Sequence, residues 1–233
     1  MSESFKCITS SEGIRYLDFS DFMNVPCGTL IKNNGFSKSD FTDLIKKVTG
    51  IKKKSESKTS KHIIELDQKH TNNVVESKLL TNASADGVYS SSSNDILTIK
   101  TADCFPIFLY DGKTAGLIHA GWRGCVNGII ENFFKATPEF NLTKAKAVIG
   151  PGICSCCFKV SPEVALLFDK KYRLRNKGDF LINLKGFIVD ELSGFGIKYI
   201  MNSDACTMCD EKRFHSFRRE GKEFKQMISY INA

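Results

Sequence analysis

The chain has 233 residues, 42% hydrophobic and 25% charged, an ordinary globular composition long enough for one domain with a sizeable core. No apolar run approaches the roughly 20 residues of a membrane helix. Met1 to Lys6 carries an acid and no apolar segment of the export type, so the expected setting is cytoplasmic, with no membrane partner. Nine cysteines are then expected as reduced thiols, and their odd number argues against a disulfide framework.

In chain order, Gly28 to Lys32 predicts a short strand ended by the turn signal Asn33-Asn34-Gly35. Ser37 or Ser39 can cap a helix in which Phe41, Leu44, Ile45 and Val48 share one face, with Gly50 as its stop. Residues 51–61 are rich in lysine and serine and predict an exposed basic loop. Part of the net charge of +7 sits there. No aromatics interleave with those lysines, so nucleic acid is not an expected partner. The remaining positive charge favours an anionic substrate such as phosphate.

His62 to Leu66 predicts a strand, followed by the polar stretch Asp67 to Asn73, the apolar pair Val74-Val75, and Ala85-Asp86-Gly87-Val88-Tyr89. Ile96 to Ile99 predicts a strand that delivers Thr101-Ala102-Asp103-Cys104. Two apolar runs, Ile107 to Tyr110 and Thr114 to Ile118, flank Asp111-Gly112 and predict a hairpin. That hairpin brings Cys104 near His119, as half of a metal site or as a catalytic thiol–imidazole pair. A helix is predicted through Val126, Ile129, Ile130, Phe133 and Phe134, then a strand from Ala145 to Ile149. Further helices are predicted from Pro162 and around Leu184 to Leu192, with a strand from Lys198 to Met201. Phe214 to Arg219 and Phe224 to Ile231 predict a terminal hairpin. With no repeat and no dividing linker, residues 1–233 are expected to form a single α/β domain with mixed sheets.

Four histidines occur: His62, His70, His119 and His215. His62 reads as an ordinary strand residue. His70 lies in a polar loop beyond a strand end, where side chains can converge on a site. With Cys104 and His119 it would complete a His/Cys/His set that zinc accepts with one position left open. A competing metal or redox site would use Cys154, Cys156 and Cys157 with Cys206-Thr207-Met208-Cys209. Arg123, and Arg218 and Arg219 beside Ser216, suit a phosphate.

Taken together, Thr101-Ala102-Asp103-Cys104-x-Pro106 and His119-Ala120-Gly121-Trp122-Arg123-Gly124 resemble the laccase-domain family. That family was first labelled multicopper polyphenol oxidase and is now described as zinc-dependent purine nucleoside phosphorylase. Gln68-x-His70, Ala85-Asp86-Gly87, Ile149-Gly150-Pro151-Gly152-Ile153, Cys156-Cys157-Phe158-Lys159-Val160, Asp204-x-Cys206-Thr207 and Phe214-x-Ser216-Phe217-Arg218-Arg219 extend the resemblance over about residues 60–231. It implies a layered sandwich of mixed β-sheets flanked by helices, of α/β/β/α type. It also implies His70, Cys104 and His119 as metal ligands and catalytic residues, and gives Cys156, Cys157 and Cys206 no ligand role.

The implied substrates are phosphate and adenosine, inosine, guanosine or methylthioadenosine, with adenosine deamination as a second activity. Substrate-binding candidates are Lys32, Arg123, Ser216 and Arg218. The chain departs from the family pattern at Thr71, where glycine is usual, at Lys159 in place of glutamate, at Phe214-His215 in place of two phenylalanines, and at Lys32 in place of arginine. The rival readings are a cysteine hydrolase with Cys104 as nucleophile, including one that edits peptidoglycan precursors, a copper oxidase, and a non-enzymatic binding module. A multicopper centre needs many imidazoles, and four histidines are too few.

Overall fold

The computed structural model describes residues 6–10, 13–32, 61–80 and 84–233. The expected helix around Phe41 to Val48, the Asn33-Asn34-Gly35 turn and all of the basic loop but Lys61 lie outside those residues.

The strands are β1 (Lys6–Thr9), β2 (Arg15–Asp18), β3 (Cys27–Leu30), β4 (His62–Glu65), β5 (Val74–Glu76), β6 (Gly87–Ser90), β7 (Asp95–Thr101) and β8 (Phe105–Tyr110). There follow β9 (Ala115–Ala120), β10 (Lys146–Ile149), β11 (Lys159–Val160), β12 (Arg173–Asn176), β13 (Asp179–Ile182), β14 (Tyr199–Asn202) and β15 (Met227–Asn232). The helices are α1 (Ser20–Met23), α2 (Trp122–Val126), α3 (Ile129–Ala136), α4 (Pro162–Leu166), α5 (Leu184–Gly194) and α6 (Phe217–Glu220). One sheet has the order β1-β2-β3-β15-β7-β4 and a second β14-β10-β8-β9-β6-β5; both mix parallel and antiparallel pairs. A small third sheet has the order β11-β13-β12.

Side chains alternate across each strand and so sort into layers. From β8, Phe105, Ile107 and Leu109 pack with Ile129, Ile130 and Phe133 of α3 and Leu184, Ile188 and Leu192 of α5. Phe108 of the same strand points the other way and packs with Leu97, Ile99, Met227 and Ile231 of the first sheet. Both faces of β8 and β9 are therefore buried, which explains why they read as unbroken apolar runs. Each fully buried Phe or Ile here is worth about 1.5–3 kcal/mol. The outer face of the first sheet carries a smaller cluster, Ile14, Leu30, Ile96 and Tyr230, which no helix of the described residues joins. No helix among the described residues is long and apolar enough to cross a membrane.

The hairpin forms as expected. Phe105 pairs with Ala120 and Pro106 with His119, so Cys104 lies across from Gly121. The Asp111 carboxylate accepts the amides of Lys113 and Thr114 at 2.9 and 2.7 Å and closes the turn. The single helix expected after His119 is two, because Gly128 takes φ +78 between α2 and α3. The expected terminal hairpin does not form. Ser216 accepts the Arg219 amide at 3.2 Å and starts α6 instead, and β15 inserts between β3 and β7.

Candidate functional site

The site starts where β4 ends. Beyond the parallel pairing of β4 with β7, Gln68 continues the ladder with its side chain: Nε2 donates to the Lys100 carbonyl and Oε1 accepts the Lys100 amide, both at 2.8 Å. The chain then turns sharply, and His70 sits at φ +60. That region costs a non-glycine residue about 1–2 kcal/mol. The compensation is Asp86, fully buried at the start of β6. Its carboxylate accepts the backbone amides of Lys69, His70 and Thr71 at 3.2, 3.1 and 2.6 Å, and the Thr71 hydroxyl at 2.8 Å. Glycine could not make that last bond, so the Thr71 departure adds a donor to the loop.

Asp86 also grips the other histidine. Its Oδ1 lies 2.7 Å from His119 Nδ1. An ionised carboxylate only accepts, so Nδ1 carries the proton and Nε2 is the atom offered to a ligand. Burial opposes the charge on Asp86, but His119 and the Thr71 amide and hydroxyl outweigh it and hold the carboxyl down at about 2. A carboxylate that orients a metal-ligating histidine is a recurrent arrangement.

Cys104, half-buried at the start of β8, completes the group. Its sulfur lies 3.7 Å from His70 Nε2, and the two imidazole rings meet edge-on with centroids 4.8 Å apart. One donor atom from each of His70, Cys104 and His119 lies within 4.8 Å of the others. Without a metal, burial pushes the Cys104 thiol up, but the charge of His119, followed by hydrogen bonds from both histidines, brings it down to about 6. Burial likewise opposes protonation of His119, yet the Cys104 thiolate and Asp86 raise it to about 10.

The cradle has room for an ion because of Gly121. A Cβ there would lie 3.0 Å from both Cys104 Sγ and His70 Cδ2. Two imidazoles and one thiolate around such a space fit a single metal ion with an open position. Gly121→Ala is therefore expected to weaken the binding of a metal ion in this cradle, measured by chelator competition. Gly194→Ala, where nothing lies within 4 Å of the added carbon, is expected to leave it unchanged. Equal affinities would contradict this account of the cradle.

Asp103, next to Cys104, is a second buried hub at φ +84. It accepts the Thr207 hydroxyl at 2.6 Å, the Ser216 hydroxyl at 3.0 Å and the Arg218 amide at 2.7 Å. Both carboxylate oxygens are occupied, which makes Asp103 a positioning residue.

The four substrate candidates divide. Ser216 is fully buried, with its hydroxyl committed to Asp103. Lys32 donates to the Glu211 carbonyl at 2.9 Å and pairs with Glu220 at 3.4 Å. Arg218 is exposed, with Nη1 on the Lys159 carbonyl at 2.8 Å. Arg123, one residue into α2, is exposed and stacks over Trp122 at 4.4 Å, with no carboxylate among the described residues within ion-pair reach. His62 is exposed beside Asp95, as an ordinary strand residue. The expectations gave no role to Asp86, Gln68 or Thr71. The signal for Asp86 was a carboxylate set between apolar neighbours, Ala85 and Gly87-Val88.

Glu220 closes the segment that holds Ser216 and Arg218. It meets Arg219 at 2.9 Å, Lys32 at 3.4 Å and His215 at 3.3 Å. Partial burial raises its pKa, but Arg219, the Lys225 amide and His215 outweigh that and lower it from 4.5 to about 2. A depressed carboxyl stabilises the fold above its unfolded value and loses that contribution as pH falls through its folded value. Glu220→Gln is expected to cost about 1–3 kcal/mol at pH 7, with the gap to wild type shrinking below pH 4.5 towards pH 2. Urea titrations at pH 7 and pH 3 measure it, and a constant gap would contradict the assignment.

Comparison with known proteins bears on this site. The family model described as multi-copper polyphenol oxidoreductase laccase matches residues 31–233. A protein of Aquifex aeolicus named purine nucleoside phosphorylase is 32% identical over 168 residues, spanning 70% of this chain and 80% of its own. One of the same name from Borreliella burgdorferi is 35% identical over 174 residues, spanning 69% of this chain and 75% of its own. The crystal structure of a hypothetical protein, YfiH, of Bacillus licheniformis superposes with a TM-score of 0.79 at 25% identity, covering 97% of this chain and 98% of that one.

Proposed function

This chain belongs to the multi-copper polyphenol oxidoreductase laccase family, and we propose that it is a zinc enzyme that cleaves purine nucleosides with phosphate. The name carried by its relatives supports the reaction class. The observation that carries the metal reading is the convergence of His70, Cys104 and His119 around the space beside Gly121. Two nitrogens and a thiolate suit zinc with one position open. Two histidines lie elsewhere, His62 beside Asp95 and His215 beside Glu220, so the cradle lacks the imidazoles of a multicopper cluster.

When bound, zinc supplies Lewis acidity for an incoming oxyanion or an activated water. The chain supplies the rest. Asp86 holds the tautomer and orientation of His119 and, through three backbone amides, the position of His70. Asp103 fixes the backbone that leads into Cys104. The Arg123 guanidinium, with no carboxylate of the described residues in ion-pair reach, offers a fork for phosphate oxygens. Arg218 spends one guanidinium nitrogen on the Lys159 carbonyl and retains other donors for an anion, while Lys32 and Ser216 hold to the protein through Glu211, Glu220 and Asp103.

In the proposed reaction a phosphate oxygen bonds to the anomeric carbon as the bond to the purine nitrogen breaks. That electron pair leaves with the base, which takes up the proton that hydrogen phosphate brought, and the sugar is released as its 1-phosphate. Inosine, guanosine, adenosine and methylthioadenosine are the proposed substrates. Deamination of adenosine, with water replacing the amino group and ammonia leaving, is the proposed second reaction.

The test is zinc-loaded protein with inosine, with and without phosphate, followed by chromatography. Hypoxanthine released only with phosphate supports the reading, and no release contradicts it. Trapping of Cys104 by an electrophile in the zinc-loaded protein would instead favour a nucleophilic cysteine, because a metal-bound thiolate is shielded.

A further inference from the structure

A second group of sulfurs converges away from the cradle. Strands β10 and β14 run side by side and parallel, with Ile149 opposite Asn202, so the loops leaving their C-terminal ends are neighbours. A parallel bridge between Gly152 and Cys206, and the Thr207 amide on the Gly152 carbonyl at 3.0 Å, draw these loops together. The first loop carries Cys156 and Cys157; the second carries Cys206 and Cys209. Their four sulfurs all lie within 4.8 Å of one another.

The spacing points to the occupant. Sulfur–sulfur distances are 3.6 Å for Cys156–Cys157, 3.8 Å for Cys156–Cys206, 3.8 Å for Cys156–Cys209 and 3.3 Å for Cys157–Cys209. Four sulfurs set tetrahedrally about zinc at about 2.3 Å stand about 3.8 Å apart. A disulfide would need about 2.05 Å, and all nine cysteines are free thiols. Thiols alone gain little from such crowding, because S–H is a weak donor and sulfur a weak acceptor. Cys206 is also served as a ligand thiolate would be: the Cys154 amide donates to its sulfur at 3.3 Å.

We propose that Cys156, Cys157, Cys206 and Cys209 form a second, closed zinc site. Four protein ligands leave no open position, so its role is structural. It staples the two loops that grip Asp103 from both sides: the first gives the Ile153 amide to the Asp103 carbonyl at 2.8 Å, the second the Thr207 hydroxyl at 2.6 Å. The site thereby braces the residue that precedes Cys104. Cys156 and Cys209 are exposed, which gives the ion a way in. The inference is independent of the reaction proposed above.

Metal analysis of protein purified under reducing conditions tests it. Wild type is expected to hold two zinc ions per chain, and His70→Ala and the pair Cys206→Ser with Cys209→Ser one each. Should the double serine variant fail to fold, cobalt(II) loaded into His70→Ala decides alone, through strong tetrahedral bands with sulfur-to-metal charge transfer. One zinc in wild type that His70→Ala abolishes, or a disulfide among these cysteines found by peptide mapping, would overturn the proposal.

Discussion

Replacing His119 by alanine is expected to abolish nucleoside turnover and to destabilise the chelator-treated protein by about 3–5 kcal/mol. His119 is 4% exposed and Asp86 not exposed at all. Removing the imidazole takes away the shortest contact on Asp86 Oδ1 and leaves a buried carboxylate with its countercharge gone. The same carboxylate holds the Lys69–Thr71 backbone, so His70 is disturbed as well. Asp86→Asn fails differently: the new amide group faces only donors. The two changes strike one network and are expected not to add, with a coupling of about 1–3 kcal/mol in a double-mutant cycle. Urea unfolding of the four proteins measures it, and additivity would contradict the claim that one carboxylate organises both histidines.

Asp103→Asn is expected to lower turnover by up to about a hundredfold and stability by about 1–3 kcal/mol. Asparagine tolerates the positive φ that Asp103 adopts, so backbone strain is not the cause. The loss comes from the acceptors. Thr207, Ser216 and Arg218 all donate to that carboxylate, and an amide can serve only some of them. Cys104 then loses the backbone that places its sulfur. The effect should fall on kcat, with KM for inosine changed less, because both Asp103 carboxylate oxygens are committed to protein donors. Wild-type kinetics in Asp103→Asn would show that the hub does not position Cys104.

The hairpin of β8 and β9 was legible because its evidence is local: two apolar runs, a turn pair, and a thiol and an imidazole at its open end. Similar local patterns predict an α/β chain with mixed sheets, and the layered sandwich is what the resemblance to the family implies. Other features depended on distant partners. Gln68 reads as a polar loop residue until Lys100 is found beside it. Asp86 gains its role only when β6 lies against β9 and His119 comes within reach. The Phe214–Arg219 segment has strand-like aromatics, yet Ser216 caps a short helix there. The β12–β13 hairpin around Lys177-Gly178, both at positive φ, was not anticipated from a short, charged stretch. The resemblance offers Lys32 and Ser216 as substrate-binding candidates, and only the folded chain shows that Lys32 also donates to the Glu211 carbonyl and Ser216 to the Asp103 carboxylate.

The most direct test returns zinc stepwise to chelator-treated protein while following phosphate-dependent release of hypoxanthine from inosine. Zinc is expected to restore activity to wild type and not to His70→Ala, which keeps its four-cysteine cluster. Full turnover by the stripped wild type, or equal recovery in His70→Ala, would contradict the claim that His70, Cys104 and His119 hold the catalytic metal.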